Sequence, residues 1–311
     1  MSVRAETQVR AAPVAVPQVN SKLVQAQTRL AWILLAPSLL VVALVALIPL
    51  AQTIWQSLTN ARLASERPVM FVGLDNYVNV LTDPDFLHAI WITVQFAVVT
   101  VFFEFILGLV IALVVNSNFR GRGPMRAAML VPWAIITVVS AQMWKWMYDQ
   151  IFGPINDAGV RLHLLSHPVA WVADPHTALW AVAAVDIWKT TPFVALLLLA
   201  GLQVIPHDLY EAADVDGASK WHQFWRITLP LLTPAILVTL IFRTLDALRV
   251  FDIFYVFFGS RPDTQTMSIY AQNTIVTSGD VGYGAAVSVA IFLIIGLFVV
   301  IYTTFLRVQE Q

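Results

Sequence analysis

Six apolar runs, at residues 30–58, 86–115, 125–147, 178–204, 228–258 and 285–306, decide what this chain can fold into. Each exceeds the ~20 residues that carry an α-helix across a hydrocarbon layer. In lipid such a run must satisfy its own backbone N–H and C=O groups, and a helix does so within one segment. The pattern predicts an all-α polytopic membrane protein with six transmembrane helices. Composition agrees, because 59% of the 311 residues are hydrophobic and only 12% are charged. An ordinary globular chain has about 45–50% and about 25%, so a soluble monomer could not cover this much apolar surface.

Other classes fall away quickly. The chain has no cysteine, which excludes a disulfide scaffold, a thiolate metal site and a cysteine nucleophile. A net charge of −1 gives no nucleic-acid footprint. Residues 1–29 are polar and carry Pro13 and Pro17, so they read as a flexible tail. They are not a secretory signal, because the apolar run after Arg29 is too long. Pro37, Pro49, Pro132, Pro192 and Pro234 lie in or near spans, where neighbouring helices re-satisfy the freed backbone groups.

Basic residues set the orientation. Arg4, Arg10, Lys22, Arg29, Arg120, Arg122, Arg126, Lys220, Arg226 and Arg307 fall on one side of a six-span arrangement. Arg62, Arg67, Arg161 and Arg261 fall on the other, with Lys145 near a span end. Both termini, including a short tail at 307–311, are therefore expected in the cytoplasm, with the protein multi-pass in the plasma (cell inner) membrane. The connection at 206–230 fits the bias least, since Asp208, Glu211, Asp214 and Asp216 outnumber its basic residues.

That connection carries the strongest local signal. Pro206 ends the preceding helix, and Asp208 and Glu211 have nearly the spacing of a capping box. Gly217 permits a sharp reversal, and a second short helical pattern runs from Ser219 to Arg226 into Pro230. Ala212, Ala213 and Ala218 let another surface approach the backbone closely. A docking element and an amphipathic loop lying on the headgroups are both open, although interfacial helices favour Lys and Arg over carboxylates.

Ionisable residues inside spans are costly and mark candidate sites. Asp186, Lys189 and Phe193 follow at helical spacing in the fourth run, with Trp188 and Thr190 beside them. Arg243, Asp246, Arg249 and Asp252 repeat every three residues in the fifth, with Ala247 and Val250 on the same broad face. For both groups, ion pairing between helices and contact with a polar solute in a cavity are open. Glu104 stands alone in the second run and reads as an interhelical hydrogen bonder. His163, His167 and His176 lack the spacing of a helical metal pair and read as solvated loop residues. Trp144, Trp146, Trp171 and Trp180 fit an aromatic belt, and Asp75 and Asn76 fit turn or capping chemistry.

The motif Glu211-Ala212-Ala213, then Asp216-Gly217-Ala218, then Phe224, Ile227 and Leu229-Pro230 resembles the EAA loop of binding-protein-dependent ABC importer permeases. Gly73-Leu-Asp-Asn-Tyr77, Asp83-Pro-Asp-Phe86, Val131-Pro-Trp133, Trp188-Lys-Thr-Thr-Pro-Phe193 and Ala200-Gly-Leu-Gln-Val-Ile-Pro206 resemble the carbohydrate-uptake subgroup related to the MalF-type subunit. The resemblance covers residues 30–306 and implies the type I importer permease fold; the chain departs from the maltose subunit in showing no extra N-terminal spans or large periplasmic insertion, so one six-span domain is expected. It implies a coupling loop at 206–230, with Glu211, Asp216 and Gly217 as central contacts to a cytoplasmic ATPase dimer and Tyr210, Ala212, Ala213 and Ala218 around them. The partners it implies are a second homologous permease chain and an extracytoplasmic sugar-binding protein. It also places the sugar pathway on the helices that carry Asp186, Lys189, Thr190, Phe193, Arg243, Asp246, Ala247 and Val250. Resemblance to the permeases of trehalose importers over the whole chain implies a disaccharide cargo, trehalose first. No Gly-x-x-x-x-Gly-Lys-[Ser/Thr] occurs, so the chain is expected to be no enzyme and to hold no cofactor, with ATP and Mg bound by the partner. An ion-coupled secondary transporter and a membrane-embedded enzyme acting on lipid are the competing classes. The acidic loop would have no purpose in the first, and no nucleophile–base or metal constellation supports the second.

Overall fold

The structure, a computed structural model, describes residues 21–307. Residues 1–20 of the expected N-terminal tail and 308–311 of the C-terminal tail lie outside it. Among the described residues the chain is helical, with only two isolated β-bridges.

The chain divides into two units at Gln52. The N-terminal one holds α1 (Ser21–Val42), a π-turn at Ala43–Leu47 and the start of α2 (Ile48–Ser57). Residues 21–29 of the stretch expected as tail are helical. The π-turn precedes Pro49, whose missing N–H cannot close the regular ladder. Leu34, Val45 and Leu47 stand exposed, as suits a helix in lipid.

The second unit contains the other apolar helices. α3 (Asp75–Thr82) and α4 (Pro84–Asn116) are followed by α5 (Arg122–Ala134) and α6 (Thr137–Met147). The short α7 (Pro154–Arg161) precedes the long α8 (Pro175–Val204). The connection at 206–230 holds α9 (Asp208–Val215) and α10 (Lys220–Gln223), then a π-turn at Phe224–Thr228. α11 (Leu229–Leu248), α12 (Asp252–Phe258), α13 (Met267–Gln272) and α14 (Val281–Arg307) complete it. Among the described residues five helical segments are long and apolar enough to cross a membrane, and α5 with α6 can supply a sixth.

That sixth differs from the single helix expected at 125–147. α5 and α6 meet at 87° across Ile135 and Ile136. The signal lies in the β-branched run Ile135–Val139, disfavoured in helices and placed just after Pro132. The fifth run also breaks: α11 stops at Leu248 and α12 starts at Asp252, so the three-residue ladder from Arg243 does not stay on one helical face.

α8 is the centre of the unit, with Val182, Val185, Val194, Ala195 and Leu198 fully buried. Contacts between Glu104 and Thr190 and between Gly108 and Val194 keep one register, so α4 and α8 run parallel. Arg243 meets Asp186 while Ala235 meets Gly201, so α11 runs antiparallel to α8. The glycines permit this approach, because a Cβ on Gly201 would sit 2.4 Å from Ala235 Cβ and one on Gly108 2.6 Å from Val194 Cγ1. Small residues at helix crossings are how spans pack where lipid removes the hydrophobic drive.

The end of the unit where α4 begins is tied by polar groups from the Gly73–Tyr77 and Asp83–Phe86 motifs. Gly73 takes φ +61°, Asn76 Nδ2 donates to the carbonyls of Ser57 and Thr59 at 2.9 Å each, and the Tyr77 hydroxyl lies 2.6 Å from Ser57 Oγ. Asp83 Oδ1 accepts from the N–H of Asp85 and Phe86 and caps α4. Its Oδ2 accepts from the hydroxyls of Tyr270 at 2.6 Å and Tyr283 at 2.7 Å. Burial pushes the Asp83 carboxyl up, but these hydrogen bonds together hold it below its ordinary value, while burial and the Asp83 bond push Tyr270 up to about 12.

Two predictions follow from these contacts. Gly201→Val is expected to lower stability by about 1–3 kcal/mol, read as a fall in the thermal midpoint of the purified protein. Gly296→Ala, in open space, leaves the midpoint in place. Because the folded Asp83 value is depressed, its contribution is full above the unfolded value of 3.8 and is lost as pH falls through the lower folded value. Asp83→Asn should remove that acid-side step from a plot of midpoint against pH.

Candidate functional site

Mid-span, α4, α8 and α11 each bring ionisable groups to one point. Arg243 is 2% exposed and uses its whole guanidinium. Its Nη2 donates to Asp186 Oδ2 at 2.8 Å and Glu104 Oε1 at 2.9 Å, its Nε donates to Glu104 Oε2, and its Nη1 donates to Asp246 Oδ2 at 2.9 Å. Glu104 is fully buried and is therefore an ion-pair partner as well as an interhelical hydrogen bonder. Thr190 Oγ1 lies between Glu104 Oε1 and the Asp186 carbonyl, 2.5 Å from the latter. Buried charges persist only when paired and hydrogen-bonded, and these groups meet that condition through three helices.

Beside the network lies a cavity of about 510 Å³, within the range of small-molecule sites. Asp186, Lys189 and Thr190 line it from α8, Asp246 from α11, and Trp133 and Thr137 from the two sides of the α5–α6 bend. Arg249, Val250, Phe251, Asp252 and Ile253 line it through the α11–α12 break. Asp246 keeps 58% of its side chain exposed, so it is both tethered to Arg243 and available to a solute. Arg249 Nη2 lies 3.6 Å from Asp246 Oδ1. Of the candidate pathway residues, Phe193, Arg243 and Ala247 are not in the lining. Phe193 stacks on Trp133 at 5.9 Å and 14°, Arg243 supports from behind, and Ala247 packs near Ala97 and Val101. Thr137 and Phe251 were not among the residues singled out by sequence, because their placement depends on the bend and the break.

The 206–230 connection forms the helix–reversal–helix expected of it. Gly217 takes φ +74° with nothing near a would-be Cβ. Asp208 is already the first residue of α9, so it complements the helix dipole rather than capping. Glu211 lies 3.2 Å from His207 Nδ1 instead of closing a capping box. Asp214 accepts from Lys220 Nζ at 2.7 Å and from Gln223 Nε2 at 2.5 Å, hydrogen bonds that hold its carboxyl below the ordinary value. Tyr210 lies 2.9 Å from Thr228 Oγ1. Glu211, Ala212, Asp216 and the apolar Val215 stand exposed, and Ala213 and Ala218 are half-buried. A second cavity, about 1010 Å³, separates this connection from residues 116–122.

At the opposite end, Trp171 Nε1 donates to Asn156 Oδ1 and Trp144 packs on Tyr148 and Trp188. Trp146 and Trp180 are the exposed members of the expected belt. His163 sits in an exposed turn at φ +56°.

Apolar helices that enclose a polar cavity at mid-span and share a structured loop at one end define a polytopic permease. The sequence model of the binding-protein-dependent transport system inner membrane component matches residues 104–311, and the chain belongs to that family. It is 44% identical over 287 residues to the trehalose/maltose transport system permease protein MalF of Thermococcus litoralis, covering 91% of this chain and 96% of that protein. It is 39% identical over 267 residues to the trehalose transport system permease protein SugA of Mycobacterium tuberculosis, covering 86% and 85%. Among solved structures, a bacterial ABC transporter that imports the acidic polysaccharide alginate matches with TM-score 0.80 and 22% identity over 93% of this chain and 100% of that one. The all-α importer-permease fold therefore holds.

Arg243→Met should leave Glu104 and Asp186 buried without a counter-ion and cost about 3–5 kcal/mol. Adding Glu104→Gln and Asp186→Asn should recover part of the loss. A parental thermal midpoint in the single variant would show that the network contributes nothing.

Proposed function

We propose that the chain is a permease subunit of an ATP-driven sugar importer, that its cargo is a disaccharide with trehalose first, and that it forms half of the pathway. The observation that carries this is the mid-span cavity, which Trp133, Thr137, Thr190 and the half-exposed Asp246 line together. Carboxylates accept from sugar hydroxyls, and aromatic faces cover the apolar faces of pyranose rings. The names of the trehalose relatives support this cargo.

In this reading Asp186, Lys189, Thr190, Asp246 and Val250 border the pathway, Arg243 holds Asp246 in place, Ala247 packs against α4, and Phe193 holds Trp133. The 206–230 connection is the coupling element. Glu211, Asp216 and Gly217 meet a cytoplasmic ATPase dimer, which binds ATP and Mg, and Tyr210, Ala212, Ala213 and Ala218 shape the approach. Its internal hydrogen bonds make it a preformed handle whose position differs between two global states. A binding protein delivers sugar at the outer face, a second homologous permease chain completes the pathway, and both termini lie in the cytoplasm. A structurally similar bacterial alginate ABC transporter, solved in complex with an alginate pentasaccharide-bound periplasmic protein, supports the binding-protein partner.

Purification of the tagged chain from its own membranes should bring an ATPase and a second permease, with hydrolysis stimulated by trehalose plus binding protein. A chain that purifies alone would point to an ion-coupled carrier. Asp246→Asn weakens one charge-assisted hydrogen bond and should raise the half-saturating sugar concentration about tenfold. Glu211→Lys should leave insertion intact and abolish sugar-stimulated hydrolysis, and normal uptake by that variant would remove the loop from the mechanism.

A further inference from the structure

The bend between α5 and α6 leaves carbonyls at the end of α5 without helical N–H partners. Ile135 and Ile136 are extended there, each with ψ 135°. Lys189 Nζ donates to the carbonyl of Ile135 at 2.8 Å and to that of Trp133 at 3.4 Å. Among the described residues no other side chain donates to these two oxygens. Lys189 makes no ion pair among them either, although Asp186 lies one turn away. One turn further along α8, Phe193 stacks on the Trp133 ring. α8 therefore grips one point of the broken span twice from one face, by its main chain through Lys189 and by its ring through Phe193.

α8 is continuous from Lys189 to Val204 and passes through Ile205 and Pro206 into α9. Pro192 lies inside this stretch and removes one backbone hydrogen bond, but the helix continues through it, so displacement of the 206–230 connection reaches Phe193 and, one turn on, Lys189. We infer that Lys189 is a positioning residue for transport: its ammonium pins the α5–α6 bend to α8, so that the cavity wall at Trp133 and Thr137 moves with the coupling connection. The inference rests on the sugar-importer reading for the force that moves the connection. It assigns Lys189 to main-chain carbonyls and so separates it from the groups that read the sugar.

The absence of cysteine makes the test direct. Spin labels at Val139→Cys on α6 and Val204→Cys at the end of α8, both exposed positions, report the distance across the pin in the assembled complex. Lys189→Met, which keeps the stem and removes the donors, should broaden that distance distribution. It should lower maximal trehalose uptake about tenfold, with less than about a twofold change in half-saturating concentration. Lys189→Arg, which keeps donors, should restore both. Should the Met variant fail to assemble, Lys189→Leu, which also lacks a donor, gives the same readouts. An unchanged distance distribution would overturn the inference whatever uptake does. So would a raised half-saturating concentration at unchanged maximal rate, which would mean that the ammonium contacts sugar. If the parent takes up no trehalose, the sugar reading fails, and the label distances still decide whether Lys189 is the pin.

Discussion

A guanidinium in the middle of a membrane span has few permitted surroundings, and those around Arg243 fix much of the unit. Glu104 arrives from α4, Asp186 from α8 and Asp246 from the next turn of α11. Rotating any one of these helices by a single residue position would leave a charge buried without its partner, at a cost of several kcal/mol. The network thus sets the azimuth of three spans as well as their separation. Gly108 and Gly201 permit the close approach that the charges demand. The cavity lies where this network meets the two irregular stretches, the α5–α6 bend and the α11–α12 break. Irregular backbone at membrane depth is tolerated where it borders protein or a polar space, and here it borders both.

Much of this is legible in the sequence because apolar length and turn chemistry are local. The runs around residues 86–115, 178–204 and 285–306 become α4, α8 and α14 almost unchanged. Gly217 and Ser219 mark the reversal and the second helix start of the 206–230 connection, and both act there as their chemistry suggests. What spacing cannot supply is azimuth between helices. Glu104 has no charged neighbour along its own helix, so its partner Arg243 becomes visible only when α4 and α11 are side by side. The three-residue ladder from Arg243 to Asp252 misleads for the opposite reason: its regular spacing continues through a point where the helix ends. The bend at Ile135 is written in a run of β-branched residues, a weaker signal than the hydrophobicity that surrounds it.

The two ends of the unit are held differently. Where α4 begins, hydrogen bonds from Asn76, Tyr77, Tyr270 and Tyr283 cross between segments far apart in the chain. At the 206–230 connection the bonds stay within the loop, from Lys220 and Gln223 to Asp214 and between Tyr210 and Thr228. The first arrangement ties helices to each other. The second makes a stiff element that can shift as one piece, with Val215 and Glu211 presented outward.

The π-turn at Phe224–Thr228 preserves the phase of that element. Leu229 N–H reaches back to Phe224 O, five residues away, and Pro230 follows with no N–H to offer. A π-turn accommodates one residue more than a regular α-turn, and one residue corresponds to about 100° around a helix axis. Excising a residue there would restore an unbroken ladder and leave the composition of both α10 and α11 untouched. In a regular helix the same extra residue would instead turn α10 about a quarter of the way round the span. The wider turn thus keeps the direction in which the connection points, independently of any side chain that makes the contact.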